Sequence, residues 1–126
     1  MKKDILLVGS DNKDLTTAKR VLEAYDFTVD LTCTGIGAIN HVQSTGYCAV
    51  VLGDDLEDKS TKELLRKLLK ISPYTEYVIY SSGTDFFYAK ELVNLGATGF
   101  ATKGDYSELK RVIKNKIRVT HDMDCF

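Results

Sequence analysis

Short apolar runs alternate along this chain with stretches in which apolar residues recur every three or four positions. The most marked run, residues 48–52, is rich in valine and stops at Gly53, Asp54 and Asp55. A run of this length, bounded by turn residues, predicts a strand buried on both faces of a sheet. Ligands of open α/β sheets bind at the carboxyl ends of central strands, so we expect Gly53 and its neighbours to lie at a functional edge.

The same pattern predicts four further strands and five helices. The strands are residues 5–8, 27–33, 77–80 and 100–102, and the strict alternation in residues 27–33 is typical of a half-buried strand near an edge. The predicted helix caps are Asp11 or Asn12, Thr34, Ser60 with Glu63 as a capping box, Asp85, and Asp105 with Glu108. Apolar spacing places Ile36 and Val93 on the buried sides of the second and fourth helices. Repeated strand–helix alternation indicates an α/β fold with a parallel sheet and helices on both faces.

Composition narrows the class of protein without naming it. The chain has 126 residues and a net charge of −1, which suits one domain with no overall attraction to nucleic acid or a membrane surface. Its apolar runs are far shorter than the roughly 20 residues that span a bilayer, and no signal peptide is recognisable. Three scattered cysteines predict buried, reduced thiols in a cytoplasmic protein. We expect one domain over residues 1–119 and a tail over 120–126.

Two segments carry a resemblance to a known family. TGIGAINHV (residues 34–42) precedes a G-Y-x-x-V-V-L strand, and GATGFATK (residues 96–103) lies near the end of the chain. In these segments, and in the order of its elements from residue 5 to residue 117, the chain resembles response-regulator receiver domains, the CheY-like branch of the flavodoxin-like fold. The resemblance implies a three-layer (βα)5 domain whose five-stranded parallel sheet has the order 2-1-3-4-5.

The resemblance also implies a chemistry, which this sequence matches only in part. Receivers transfer a phosphoryl group to an aspartate that ends the third strand, helped by a magnesium-binding acidic pair, a Ser/Thr and a lysine. Ser81 and Lys103 match the hydroxyl and the lysine, whereas Gly9 and Ser10 replace the acidic pair and Gly53 replaces the acceptor. These five residues predict a vestigial pocket in a pseudo-receiver that is not an enzyme and has no catalytic residue, metal or cofactor.

Two alternatives remain open at this pocket. Asp54 or Asp55 could be a displaced phosphoacceptor working with magnesium, although a one-residue slip along a strand turns a side chain away from the pocket. Otherwise these carboxylates and Asp11 are solvated loop residues that pair with Lys103. The second alternative is a small-anion or nucleotide sensor, in which Ser81, Lys103 and a helix N-terminus bind the ligand at the vacated edge.

Exposed aromatic residues predict a surface for a protein partner. Phe86, Phe87 and Tyr88 are consecutive, so they cannot all face inward from one helix, although core packing of two of them is an equal alternative. In receivers the surface of the fourth helix, fifth strand and fifth helix commonly binds partners, and Phe100 stands at the family's switching aromatic. The predicted partner face comprises Phe86, Phe87, Tyr88, Lys90, Phe100 and Tyr106. The resemblance implies a signalling partner, such as a histidine kinase or a downstream effector, and neither nucleic acid nor a membrane.

Overall fold

Five strands alternate with five helices within the part of the chain that the computed structural model describes, residues 2–54, 56–82 and 86–117, without the side chains of Lys2 and Phe86. The strands are β1 (Lys2–Val8), β2 (Val29–Thr32), β3 (Gly46–Gly53), β4 (Glu76–Ser81) and β5 (Gly99–Thr102). The helices are α1 (Asn12–Glu23), α2 (Gly35–Ser44), α3 (Thr61–Ile71), α4 (Phe86–Leu95) and α5 (Tyr106–Ile117). None of the described helices is long and apolar enough to cross a membrane.

The sheet is parallel, with the order β2-β1-β3-β4-β5. Its register aligns Val8 with Leu52, Gly53 with Tyr80, and Ser81 with Thr102. Residues that follow β1 and end β3, β4 and β5 therefore meet along one border, which we call the carboxyl edge. The predicted fold class and strand order are confirmed, and β2 lies at the outer edge that its alternating pattern predicted.

The central strand β1 supplies side chains to two separate cores. Ile5 and Leu7 pack on the face covered by α1 and α5, while Leu6 and Val8 pack on the face covered by α2, α3 and α4. All four side chains are 0% exposed, so β1 is enclosed on both faces as strands of parallel α/β sheets are. The helices supply the rest of each core from one stripe of apolar residues.

Local capping explains where the helices begin. The caps accept hydrogen bonds as predicted: Asp11 from the Asp14 N–H, Thr34 from the Gly37 N–H, Ser60 from the Glu63 N–H, and Asp105 from the Glu108 N–H. The Ser60–Glu63 pair forms a full capping box. The predicted cap Asp85 lies outside the described residues.

Two apolar side chains that helical spacing placed on the buried sides of their helices are exposed instead. Ile36 is 58% exposed and Val93 is 48% exposed. Both helices have ten residues with apolar side chains around much of their circumference, and only one stripe of each contacts the sheet. Ala38 and Val42 form that stripe in α2, and Leu92 is its buried member in α4.

The cysteines also differ from the prediction of buried, reduced thiols. Cys33 is free but exposed, because it follows β2 at the outer edge of the sheet. Cys48 is only partly buried near the start of β3, and Cys125 lies outside the described residues. The prediction is therefore wrong in burial for Cys33.

Candidate functional site

The carboxyl edge brings the residues of the predicted vestigial pocket together. Gly9, Gly53 and Lys103 line one small cavity of about 10 Å³, and Ser10 follows Gly9 directly. Ser81 ends β4, and its backbone carbonyl accepts a hydrogen bond from the Lys103 N–H at 3.0 Å. A space of this size holds about one water molecule, so the two glycines have not left a ligand-sized cavity between them.

The lysine at this edge pairs with a carboxylate from the loop before α1. The Nζ atom of Lys103 lies 3.4 Å from Oδ2 of Asp11, and both side chains remain partly accessible to solvent. This contact confirms the expectation that a loop carboxylate pairs with the lysine. It also explains how Lys103 finds a counter-charge without an acidic residue at position 9, 10 or 53.

The serine at this edge contacts a different carboxylate. The Ser81 hydroxyl donates to Oδ2 of Asp54 at 2.5 Å, and Asp54 is otherwise exposed. Asp54 thus lies beside the hydroxyl that would contact a phosphoryl group, while Lys103 pairs with Asp11. Asp55, the other candidate for a displaced acceptor, lies outside the described residues.

A third carboxylate, which the sequence analysis missed, lies behind the edge. Oδ1 of Asp14 accepts hydrogen bonds from the Tyr80 hydroxyl at 3.0 Å and the Tyr106 hydroxyl at 2.6 Å. Its Oδ2 is buried and finds no hydrogen-bond partner among the described residues. The Gly104 N–H donates to the Tyr80 hydroxyl at 2.8 Å, so the network joins α1, β4, α5 and the turn after β5.

The tyrosines of this network keep their protons at neutral pH. Burial, and then the hydrogen bond to Asp14, raises the pKa of Tyr80. For Tyr106 the hydrogen bond to Asp14 is the larger cause of a raised pKa, and burial is the second. A neutral hydroxyl next to a carboxylate is a donor, which is the role that both side chains have here.

Charge at the carboxyl edge favours cations over anions. Among the described residues, Asp11, Asp14 and Asp54 bring three carboxylates to this region, and Lys103 brings an ammonium. Within the described ranges, no group of three or more His, Cys, Asp or Glu residues is placed to hold a metal ion. The geometry therefore gives no support to an anion or nucleotide at the vacated edge.

A larger cavity lies beneath α4, on the far side of Ser81 from β3. Its volume is about 160 Å³. Its lining includes apolar side chains from three elements and two polar ones, namely Ile79, Ala89, Leu92, Phe100, Ser81 and Glu108. We call it the α4 cavity; nothing in the sequence pattern pointed to it, because its walls come from residues up to 29 positions apart in the chain.

The residues of the predicted partner face do not form one continuous surface. Phe87 is 78% exposed, Lys90 is exposed, Tyr88 and Phe100 are partly buried against the core, and Tyr106 donates to Asp14. Phe87 shares a helix side with Glu91, four residues on, and Glu91 pairs with Lys62 of α3 at 2.5 Å. Phe87 therefore lies toward α3, whereas Phe100 lies on β5. The side chain of Phe86 lies outside the described residues.

Comparison with known proteins places the fold among receiver domains. No family model matches this chain, and no curated protein matches it. Among solved structures, a CheY-like response regulator receiver domain protein from Methanospirillum hungatei JF-1 is 23% identical, with a TM-score of 0.85 over 92% of this chain and 94% of that one. A two-component response regulator from Clostridium difficile is 20% identical, with a TM-score of 0.86 over 93% and 97% of the two chains.

A third similar structure is that of a protein with a different name. The adenylate cyclase from Rhodopirellula baltica is 27% identical, with a TM-score of 0.84 over 94% of this chain and 89% of that one. Matches of this kind establish the flavodoxin-like, CheY-like receiver fold for the described elements. A shared fold does not establish a shared activity, because activity depends on the residues of the site, here those at the carboxyl edge.

Proposed function

We propose that this chain is a receiver-like signalling domain that acts without phosphorylation, as a protein–protein interaction module. The observation that carries the proposal is the pairing at the carboxyl edge, where Ser81 contacts Asp54 and Lys103 contacts Asp11. Gly53, which has no nucleophile, stands at the acceptor position.

Electrostatics supports the absence of phosphoryl transfer. A transferred phosphoryl group needs cations and donors that stabilise its developing negative charge. Here Asp11 offsets the charge of Lys103, and Asp54 accepts the hydrogen bond of Ser81. The nearby Asp14 adds repulsion for an anion. Neither a metal nor a cofactor is part of the proposed function, and we propose no enzymatic activity.

The exposed side of α4 supports an interaction role. Phe87 is 78% exposed, with the exposed Lys90 three residues on, and aromatic residues are enriched in protein interfaces. We propose a signalling protein in the cytoplasm as the partner, such as a histidine kinase or a downstream effector, rather than a nucleic acid or a membrane.

A phosphorylatable receiver is the second candidate, because Asp54 reaches the hydroxyl of Ser81. In this alternative Asp54 accepts the phosphoryl group with the help of Mg²⁺. An oxygen of the Asp54 carboxylate would then form a bond to the phosphorus atom of a small phosphodonor. The bond between phosphorus and the donor's leaving group would break, and the leaving group would depart with that electron pair.

A titration with Mg²⁺ and beryllium trifluoride, followed by amide NMR, tests the proposal. We expect the amides of Gly53, Asp54, Ser81 and Lys103 to stay in place at millimolar ligand, because position 53 has no carboxylate to coordinate beryllium and positions 9 and 10 have none to bind Mg²⁺. A variant with Gly9→Asp, Ser10→Asp and Gly53→Asp is the matched control. It restores the acidic pair and the acceptor, and its amides should move.

The opposite outcome would decide in favour of the second candidate. If the wild-type amides shift and Asp54→Asn abolishes the shifts, Asp54 is a displaced acceptor and the proposal of phosphorylation independence is wrong. Ser81→Ala separates the two readings further, because it removes the hydroxyl that a phosphoryl group at Asp54 would need.

A further inference from the structure

We propose that the α4 cavity is a binding site for a small planar organic cation, such as an aryl amidine. The site lies beyond Ser81, away from Gly9 and Gly53, and it does not depend on whether the domain is phosphorylated. Its volume of about 160 Å³ is the first observation. An enclosed apolar cavity of about 150 Å³ is sufficient to bind benzene. The α4 cavity has a similar volume, but it is partly open to solvent and has both polar and apolar walls, so it has room for one six-membered ring.

The walls suit a flat apolar ring. Ile79 of β4 and Leu92 of α4 are buried and contribute branched side chains, and Phe100 of β5 contributes an aromatic ring. An aromatic wall stabilises a second ring in an offset or edge-to-face arrangement. Ala89 is the small residue of α4 at this cavity, and a longer side chain at that position would project into the space.

A carboxylate in the wall sets the charge of the ligand. Oε1 of Glu108 accepts a hydrogen bond from the Thr102 N–H at 2.5 Å. Its Oε2 lies 3.9 Å from the guanidinium of Arg111, which is 69% exposed, so this counter-charge is distant and hydrated. A carboxylate with such a weak partner attracts a positively charged N–H donor and repels an anion.

The second polar side chain of the wall reinforces this preference. The Ser81 hydroxyl donates to Asp54, which places another carboxylate just beyond the cavity. One carboxylate thus lies in the wall of a ring-sized space with polar and apolar sides, and a second lies beyond Ser81. The ligand class that matches is a compact aromatic or cyclic compound with one amidinium or ammonium group, and the charge is opposite to that of a phosphoryl group.

Benzamidine is the probe for the test, with amide NMR as the measurement. We expect a dissociation constant on the order of 1 mM, typical of a ligand with so few atoms, and shifts centred on Ile79, Ala89, Leu92 and Phe100. Benzoate has the same ring with the opposite charge, and we expect it to bind at least about tenfold more weakly.

Two variants test the geometry and the charge separately. Ala89→Leu fills the cavity, and we expect it to weaken benzamidine binding by about tenfold or more. Glu108→Gln keeps an acceptor for the Thr102 N–H but removes the charge, so the preference for benzamidine over benzoate should disappear. The absence of shifts in the wild-type protein, shifts centred elsewhere, or unchanged binding in both variants would overturn the proposal.

Discussion

Asp14 is the residue on which the polar contacts behind the carboxyl edge converge. It accepts from the hydroxyls of Tyr80 and Tyr106, and the Tyr80 hydroxyl in turn accepts from the Gly104 N–H. Gly104 has a φ of +89°, a backbone conformation that favours glycine. The turn after Lys103 is therefore fixed by the hydrogen bond from the Gly104 N–H and by a backbone conformation that residues with a side chain rarely adopt.

At the same scale, Phe87 offers a test of the proposed interaction role. We expect Phe87→Ser to reduce the capture of protein partners by the immobilised domain at least about tenfold, because hot-spot aromatics contribute about 2 kcal/mol or more to an interface. Quantitative affinity capture against wild type measures this loss. The fold should be unaffected, since the side chain is 78% exposed.

Tyr74 is the matched control for Phe87. It is also aromatic and 95% exposed, but it lies in the turn that precedes β4, whereas α4 follows the opposite end of that strand. Tyr74→Ser should leave capture unchanged. An equal loss in both variants would mean that exposed aromatics bind non-specifically, and no loss in either would remove α4 from the proposal.

The residues at the carboxyl edge differ in how far the sequence could predict them. Ser81 and Lys103 follow directly from their positions at strand ends, and a loop carboxylate for Lys103 follows from charge alone. The contact between Asp14 and Tyr106 joins residues 92 positions apart, and no local pattern announces it. One signal was available: Asp14 stands four residues before Ala18 and eight before Leu22, on the stripe of α1 that faces the core.

At the scale of the elements, two hydrogen bonds connect the loop between β3 and α3 to the start of α2. The carboxylate of Asp58 accepts from the backbone N–H of Gly35 at 2.8 Å and of Ile36 at 3.0 Å. These two hydrogen bonds satisfy donors that a helix N-terminus leaves unpaired.

These two hydrogen bonds, which we call the Asp58 clamp, predict that the first turn of α2 loses stability in acid. The hydrogen bonds from Gly35, and then from Ile36, lower the pKa of Asp58 below 3.8, its ordinary value. The stabilisation is therefore present above pH 3.8 and is lost as the pH falls through the lower, folded-state pKa. We expect Asp58→Asn to speed hydrogen exchange at the first amides of α2 near neutral pH and to flatten the acid dependence of that exchange.

Glu57→Gln is the control for this prediction. Glu57 is exposed in the same loop and carries the same charge. Its substitution should leave the exchange of the α2 amides unchanged. Equal effects of the two variants would indicate a general charge effect and would argue against the specific clamp.

Element boundaries were predictable because their signals are local. Each described cap lies within three residues of the N–H that it accepts from, so the sequence carries it directly. Which side of α2 and of α4 faces the sheet was not predictable in the same way. Ile36 and Val93 satisfy helical spacing, but which apolar stripe faces the sheet depends on the crossing of each helix over strands far away in the chain.

On the scale of the whole molecule, Tyr77 joins the sheet to the helical layer that carries α3. Its ring is 0% exposed, and its hydroxyl donates to the carbonyls of Leu68 at 2.9 Å and Ser72 at 2.8 Å. Leu68 lies in the last turn of α3 and Ser72 is its C-cap. Their carbonyls also accept from the Ser72 and Thr75 N–H groups, so the Tyr77 hydroxyl adds a further donor at this helix end. Burial raises the pKa of Tyr77 to about 12.

The raised pKa predicts a loss of global stability in alkali. Unfolded tyrosine ionises near pH 10, whereas folded Tyr77 keeps its proton to about pH 12. Its contribution is therefore complete below pH 10 and falls as the pH rises from 10 to about 12. We expect the free energy of unfolding, measured in urea, to fall more steeply over this range in wild type than in Tyr77→Phe.

A second tyrosine separates this effect from general alkaline damage. Tyr74→Phe removes an ionisable group that is 95% exposed, and the slope should stay at its wild-type value. A slope that is the same in all three proteins would show that Tyr77 does not control the alkaline transition.

The overall architecture was predictable because strand–helix alternation leaves few topologies for a parallel sheet. The strand order came from the resemblance to receivers and is confirmed. The α4 cavity could not be predicted from the sequence, because it depends on how Ala89, Phe100 and Glu108 of three separate elements pack together.

The two-sided burial of β1 has a consequence for how this gene product tolerates change. Ile5, Leu6, Leu7 and Val8 are all 0% exposed and alternate between the two cores. Exchange of one apolar side chain for another alters a single core. Insertion or deletion of one residue within β1 would send every later side chain of the strand to the opposite core. We therefore expect β1 to tolerate exchanges between apolar residues but no change in its length.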